Sequence, residues 1–252
     1  MNRLCTAAVV LGASNYGESD RIVTLLGREL GKVRALARAA RKSTRRFGAG
    51  LGLFSLGTAE LTEKHSSDLV TLESFDCVRG FAGLTADLGK VAYAGYAAEL
   101  VRELCAWRHP EPQLFELLVE CLSLVEAEPI RPEMLRLFEL LVLDAHGLRP
   151  ELERCVRCSD LAQDEAGQGI EGASGGVVCG RCAQGRARAL NGATRRALLR
   201  AQGLSLRQHG ALDLPSETNR QAREALAALI AAHIGKPLQS VEFIHKINQA
   251  TL

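Results

Sequence analysis

Lys32-Val33-Arg34-Ala35-Leu36-Ala37-Arg38-Ala39-Ala40-Arg41-Lys42 is the stretch on which the reading of the N-terminal third turns. Taken as a strand, it sends successive side chains to opposite faces. The even positions then put Lys32, Arg34, Arg38 and Lys42 on one face, with Leu36 and Ala40 between them. The odd positions Val33, Ala35, Ala37 and Ala39 are small and apolar and can pack inward. Comparable runs at 4–11, 21–26, 53–61 and 69–78 are rich in Val, Leu, Ile and Thr, and glycines and polar turns separate them. With 32–40 they make five short strands, and a small barrel is the expected result because closure removes sheet edges. An OB-fold is the economical form. A rival reading makes 19–30 a helix, with Ile22, Leu25, Leu26 and Glu29 at helical spacing.

Beyond residue 80 the period changes. Leu84, Leu88, Val91, Leu100 and Leu104 predict one long amphipathic helix. Leu114, Leu117, Leu118, Cys121, Leu122 and Val125 predict a second, with Pro112 in its first turn and Pro129 after its end. Pro132 opens a third, which Gly147 stops. Helix returns over 194–206 and from Ser216, read as a cap, to Ile234, where Gly235 and Pro237 end it. Residues 241–247 suggest a last helical turn or two. The expected fold is α+β. We expect a five-stranded OB-fold barrel at 1–80, as a nucleic-acid-binding domain, and a helical domain at 81–252 with a four-cysteine zinc knuckle inserted at 155–182.

The knuckle rests on Cys155-Val-Arg-Cys158 and Cys179-Gly-Arg-Cys182. Two C-x-x-C pairs at this separation can face each other and close a tetrahedral site with Zn–S near ~2.3 Å. Four thiolates leave no position for water or substrate, so the metal role is structural. An iron–sulfur cluster, two disulfides or four free thiols are the alternatives. The N-terminus has one short apolar run and soon turns polar, which predicts no secretory signal and argues against disulfides. Cys5, Cys77, Cys105 and Cys121 sit in apolar contexts and are expected to be reduced core residues. Arg154, Arg157 and Arg181 flank the ligands and can offset the net charge of a four-thiolate zinc site. Contact with nucleic acid is their other reading. Residues 163–176, full of Gly, Ser, Asp and Glu, read as a mobile excursion between the two pairs.

Charge is segregated along the chain. Residues 1–80 carry 12 basic and 8 acidic side chains, and 81–150 carry 6 and 11. Between Glu29 and Glu60 there is no acid, but there are seven cations: Lys32, Arg34, Arg38, Arg41, Lys42, Arg45 and Arg46. Cations lined up in this way repel one another unless something anionic lies opposite, and a phosphate backbone is the natural partner. The plainer alternative is a charged strand edge that blocks aggregation. Aromatic residues make up only 4% of the chain, with Trp107 the single tryptophan, so base stacking is expected to be a minor theme. No apolar run approaches the ~18 residues a membrane helix needs.

Catalytic patterns are missing. Gly31-Lys32 and Gly89-Lys90 lack the remainder of a phosphate-binding loop, and no G-x-S-x-G or G-x-G-x-x-G appears in a strand-to-helix context. The six histidines show no ligand-like pairing and read as surface or capping residues. Glu126/Glu128 and Asp164/Glu165 read as solvated. Nothing here points to an enzyme.

The run Tyr16-Gly17-Glu18-Ser19-Asp20-Arg21-Ile22-Val23-Thr24-Leu25-Leu26, then Glu29-Leu30-Gly31-Lys32-Val33 and Ala39-Ala40-Arg41-Lys42-Ser43, resembles the bacterial RecO family. So do Phe138 to Gly147, Pro150, and the two cysteine pairs introduced by Gly175-Gly176-Val177-Val178. The resemblance covers nearly the whole chain in order. It implies an N-terminal OB-fold, a helical C-terminal region and a zinc insertion. It also implies a cytoplasmic, nucleoid-associated recombination mediator in DNA repair. Such a protein binds single- and double-stranded DNA, anneals complementary strands, and works with RecR to help load RecA onto DNA covered by single-strand-binding protein. With only Tyr16, Phe47, Phe54 and Phe75 as aromatics in the β region, phosphate contact should dominate over stacking. Two rival functions remain on the residues alone: an RNA-binding or transcription-associated zinc-ribbon factor, and a scaffold that binds no nucleic acid.

Overall fold

The computed structural model describes residues 2–47, 50–63, 69–163, 167–185 and 187–244, and of Thr44 and Arg45 the backbone alone. Five strands open the chain: β1 (Asn2–Tyr16), β2 (Asp20–Gly27), β3 (Gly31–Ala37), β4 (Leu56–Glu63) and β5 (Val70–Arg79). They join in the order β1-β2-β3-β5-β4, and β4 pairs back onto β1 to close the ring. All pairings are antiparallel except β3 with β5, which meet in parallel at Ala35↔Val70 and Leu36↔Thr71. β1 is long because it serves two partners, β4 through Asn2–Val9 and β2 through Ala8–Tyr16. A bulge between Val10 and Gly12 bends it at the handover. Period-2 alternation fills the interior: Val23 and Leu25 of β2 and Val33, Ala35 and Ala37 of β3 meet Leu61, Leu72 and Phe75. Phe47, from the short α1 (Thr44–Phe47), plugs the same core.

The helical reading of 19–30 gives way to β2. Gly17 and Gly31 take left-handed φ at the two hairpin turns that flank it. Strand limits also shift. β3 ends at Ala37, not at 40, because Ala39 turns to φ 53° and gives its N–H to Asp20 Oδ1 at 2.8 Å. β4 begins at Leu56, not at 53, because Phe54 has φ 71° and donates its N–H to the Val10 carbonyl.

Helices follow: α2 (Ala82–Thr85), α3 (Leu88–Leu104) and α4 (Pro112–Ala127). The single long helix expected from Leu84 to Leu104 is split, because the Asp87 side chain caps α3 by accepting from the Lys90 N–H at 3.0 Å. Glu126, expected to be solvated, clasps this region instead. Its carboxylate accepts from Arg79 at 2.5 Å and from the Gly83 N–H at 3.0 Å, while Lys90 Nζ reaches the Glu126 carbonyl at 2.6 Å. Burial alone would raise its pKa. The Arg79 guanidinium, the Gly83 N–H and Lys90 together hold it below the usual carboxylate range.

Two compact units result, Met1–Glu128 and Pro129–Leu252. The helices α2–α4 therefore group with the barrel, past the change from β to α at 80/81. Cross-links of the Glu126 kind, and Arg28 to Glu116 at 2.6 Å, account for this.

The second unit holds α5 (Pro132–Ala145), α6 (Gly180–Ala183), α7 (Gly192–Ala201) and α8 (Ser216–Ile234), with a small sheet of β6 (Gly169–Glu171), β7 (Gly176–Val178) and β8 (Arg188–Ala189). α5 buries Met134, Leu137, Phe138 and Leu143 and packs on α8. Arg136 and Glu139 form a buried ion pair at 3.0 Å on the same helix. α7 ends at Ala201, not 206, and Asn191 caps it by accepting from the Thr194 N–H at 2.7 Å. Ser216 opens α8 without capping it, and Gly235 ends it at φ 75°. Residues 240–244 form a helical turn, and His245 to Ile247 lie outside the described residues. His209 is buried, not exposed, with Nδ1 3.1 Å from the Leu206 carbonyl. His65 and His245 lie outside the described residues. Among the described residues no helix is long and apolar enough to cross a membrane.

Candidate metal centre and nucleic-acid interface

The four cysteine sulfurs at 155, 158, 179 and 182 lie within 4.8 Å of one another. Two local devices make this possible. After the first pair, Ser159 turns to φ 63°, and its N–H bonds the Cys155 carbonyl at 2.8 Å. After the second, the N–H groups of Cys182 and Ala183 close onto the Cys179 carbonyl as α6 begins. Between the pairs, 167–176 is no free excursion. β6 returns as β7 with Gly169↔Val178 and Ile170↔Val177 in register, which delivers Cys179 to the first pair. Asp164 and Glu165 lie outside the described residues.

The thiols are electrostatically unequal. Burial raises the Cys155 thiol, but the N–H groups of Cys179, Cys158 and Arg157 outweigh it and bring the pKa to about 6. Hydrogen bonding with Cys179, followed by burial, pushes Cys182 up to about 12. Four sulfurs this close cannot all ionise unaided, and a divalent cation at their centre would let them do so. A tetrahedron with metal–sulfur bonds of ~2.3 Å needs sulfurs roughly 3.8 Å apart. Cys158 and Cys179 already stand at 3.9 Å. The residues fit a metal ion. Arg157 pairs with Glu171 at 2.6 Å and Arg181 with Asp160 at 2.5 Å, and Arg154 reaches the Ser159 carbonyl at 3.1 Å. Arg157 and Arg181 are thus shared between the cysteine sulfurs and carboxylates.

The remaining cysteines split. Cys105 and Cys121 are buried, and burial raises both thiols, Cys105 to about 12. Cys5 and Cys77 are exposed: Cys5 lies opposite the exposed Glu60 on β4, and Cys77 lies in the end of β5, where Asp76, Val78 and Arg79 are exposed as well.

The basic stretch divides as well. Arg34 stands exposed on β3, and Arg38, Arg41, Lys42 and Arg46 are exposed in the turn that follows. The side chain of Arg45 lies outside the described residues. The turn is braced against the β1–β2 hairpin: Arg41 donates its N–H to the Ser19 carbonyl at 3.0 Å and its guanidinium to the Glu18 carbonyl at 3.0 Å. Arg46 reaches back to the Arg38 carbonyl at 2.6 Å. The Ala39 N–H, and then Ser19 and Arg38, hold the Asp20 carboxyl below its ordinary value. Among the described residues no carboxylate forms an ion pair with Arg34, Arg38, Arg41, Lys42 or Arg46.

Lys32 leaves the set. It shares the outward face of β3, but only 7% of it is exposed. Its ammonium bonds the Arg102 carbonyl and sits 4.5 Å from the centre of the Trp107 ring. Residue 107 pairs with Lys32 as a parallel bridge, which covers this end of the strand. Alternation alone could not reveal that cover, because it comes from some 70 residues along the chain. The bracing of the basic turn by the Asp20 carboxylate and the Glu18 and Ser19 carbonyls likewise has no signal in the sequence pattern. The run of cations, with no acid between them, points to a basic strand face and the loop after it, not to what braces them.

Comparison with known proteins agrees along the whole chain. The family models described as "Recombination protein O N terminal" and "Recombination protein O C terminal" match residues 1–81 and 85–242. The chain is 46% identical over 249 residues to the DNA repair protein RecO of Anaeromyxobacter dehalogenans (strain 2CP-C), with 98% of each chain covered. It is 40% identical over 248 residues to that of Myxococcus xanthus, covering 98% and 99% of the two chains. It is 38% identical over 243 residues to that of Pelobacter propionicus, covering 96% of each.

Proposed function

This chain belongs to the recombination protein O family of DNA repair proteins, and from that premise we propose that it is a recombination mediator that anneals DNA without making or breaking covalent bonds. It binds single- and double-stranded DNA through the braced cations of β3 and the turn after it. It pairs complementary strands and, with RecR, helps load RecA onto single strands covered by single-strand-binding protein. This work belongs in the cytoplasm, at the nucleoid.

One observation carries the reading. Arg34, Arg38, Arg41, Lys42 and Arg46 are exposed together, on β3 and on the segment after it that Arg41 ties to the β1–β2 hairpin, and are not ion-paired with any described carboxylate. Two DNA strands repel each other through their phosphates. A basic surface lowers that cost by releasing counterions, and phosphate contacts hold a strand without occupying its base edges. The bases stay free to pair, which is all that annealing requires.

Cys155, Cys158, Cys179 and Cys182 would hold a zinc ion, which supplies structural cross-linking of the knuckle. The two pairs and the β6–β7 hairpin align the four sulfurs for it. The acidic 81–150 segment is poorly suited to DNA and leaves surface for RecR and single-strand-binding protein.

Charge reversal tests the reading. Arg34, Arg38 and Lys42 should be changed to Glu together, which spares the guanidiniums of Arg41 and Arg46 that brace the turn. Circular dichroism should show a folded protein, while DNA binding and annealing of strands covered by single-strand-binding protein are lost. A folded triple variant that binds and anneals like the parent would show that these cations only protect a strand edge.

A further inference from the structure

We propose that Trp107 is a base-stacking platform at this interface: a base of single-stranded DNA lies on the indole while neighbouring phosphates run along Arg34 and Arg38. This rests on the DNA-binding reading above and adds a preference for unpaired strands.

Register places the groups together. Residues directly opposite one another in a sheet share a face. The pairings Gly12↔Thr24↔Arg34 and Ser14↔Ile22↔Leu36 run across β1, β2 and β3, and Tyr16↔Asp20 follows. Arg38 is close enough to act on the Asp20 carboxylate. The opposite face packs Val23, Leu25, Val33, Ala35 and Ala37 into the barrel core. Arg34, Leu36, Arg38 and Tyr16 therefore share the outer face, and Lys32 is the next residue on it.

Trp107 stands at the Lys32 end. Its backbone is fixed there. The Arg108 N–H donates to the Lys32 carbonyl at 2.9 Å, and His109 passes so close that a Cβ on Gly31 would lie 2.0 Å from its carbonyl oxygen. Gly31 also has φ 68°, so glycine is required on both counts. The Lys32 ammonium is set 4.5 Å from the ring centre, and Trp107 still keeps 53% of its surface open. A cation against one part of an indole leaves the rest of the π-surface for a partner. Lys32 to Arg34 is two residues, or ~6.6 Å along a strand, so a base on the indole brings its phosphate towards Arg34. At the far end Tyr16 is 55% exposed. Six strand residues separate the two ends, ~20 Å. That is a track for a few nucleotides, in keeping with the roughly 4–16 that one OB-fold covers. A duplex keeps its bases stacked on each other and has none to offer the ring. The expectation that phosphate contact dominates and stacking is minor thus gains one stacking residue, which lies outside the β region in sequence.

The chain has a single tryptophan, so the test needs no label on the protein. A dT oligonucleotide should quench the indole emission as it binds. A duplex, brought to equal occupancy as measured by anisotropy of labelled DNA, should leave it unchanged. Trp107→Ala should weaken single-strand binding roughly 5- to 150-fold and leave duplex binding as it was. Trp107→Phe should recover most of the loss. If the oligonucleotide binds by anisotropy with no change in emission, or if Trp107→Ala binds it like the parent, the stacking inference is overturned and the DNA-binding reading stands. If anisotropy detects no DNA binding at all, both are overturned. Should the alanine variant fail to fold, the emission of the unaltered protein and the phenylalanine variant still decide.

Discussion

At the scale of single residues, Lys32 and Arg34 show how two cations of one type on one strand face can do different work. Lys32→Ala removes a buried donor from the Arg102 carbonyl and should cost about 1–3 kcal/mol of stability, read by urea unfolding, with little change in the salt dependence of DNA binding. Arg34→Ala should do the reverse. Stability should stay within about 0.5 kcal/mol, while the slope of log K against log salt on single strands becomes shallower by about 0.7. Glu126 is the other residue with a structural task. Glu126→Ala leaves the Gly83 N–H and the Arg79 guanidinium without their acceptor and should cost about 1–3 kcal/mol. The folded pKa of Glu126 lies below its unfolded value. Its stabilisation is therefore full above the ordinary carboxylate range and is lost as pH falls through the depressed value. The gap between parent and variant should be widest near neutrality and close in acid, which urea titrations across pH would record.

At the scale of elements, the knuckle is a local device. Two turns and one hairpin bring four thiols together, and the sheet they join spans only two or three residues per strand. So small a sheet, packed on α8, buries little surface against chain entropy, and a metal cross-link would compensate. We expect one zinc per chain by metal analysis of protein purified without chelator. Cys158→Ser, or stripping with a strong chelator, should speed amide exchange across 155–182 and leave β1–β5 protected. Exchange that accelerates equally in the barrel, or not at all in the knuckle, would count against a structural metal there. Acid should release the metal, because the thiolates must stay deprotonated to bind it.

At the scale of the whole molecule, charge sorts the surfaces. Five exposed cations on the β3 side, if each neutralises a phosphate, give a slope of log K against log salt near −3.5 on single strands, at about −0.7 per contact. Replacing Arg34, Arg38 and Lys42 by Gln should bring it to about −1.4, equally for all sequences, because phosphate contacts carry no base information. Crosslinking should put DNA on residues 1–80 and on Trp107. Crosslinks spread over α4 and α5, where carboxylates dominate, would contradict this picture.

The two C-x-x-C pairs could be found in the sequence because a metal knuckle is set by spacing within a few residues, and chain geometry over so short a span has little freedom. The five strands were legible for a similar reason: alternation at period 2 is written residue by residue, and Val33, Ala35 and Ala37 do pack inward. Strand ends were less legible, since Ala39 and Phe54 adopt left-handed φ only because Asp20 and Val10 stand ready to bond them. The break between α2 and α3 lay in Asp87, a capping residue in plain view that apolar periodicity overran. What only the tertiary structure decided are the fates of Lys32, Trp107 and Glu126. Each is determined by partners some 35 to 75 residues away. A sequence pattern states which face a side chain takes. It does not state what the rest of the chain, once packed, will lay over that face.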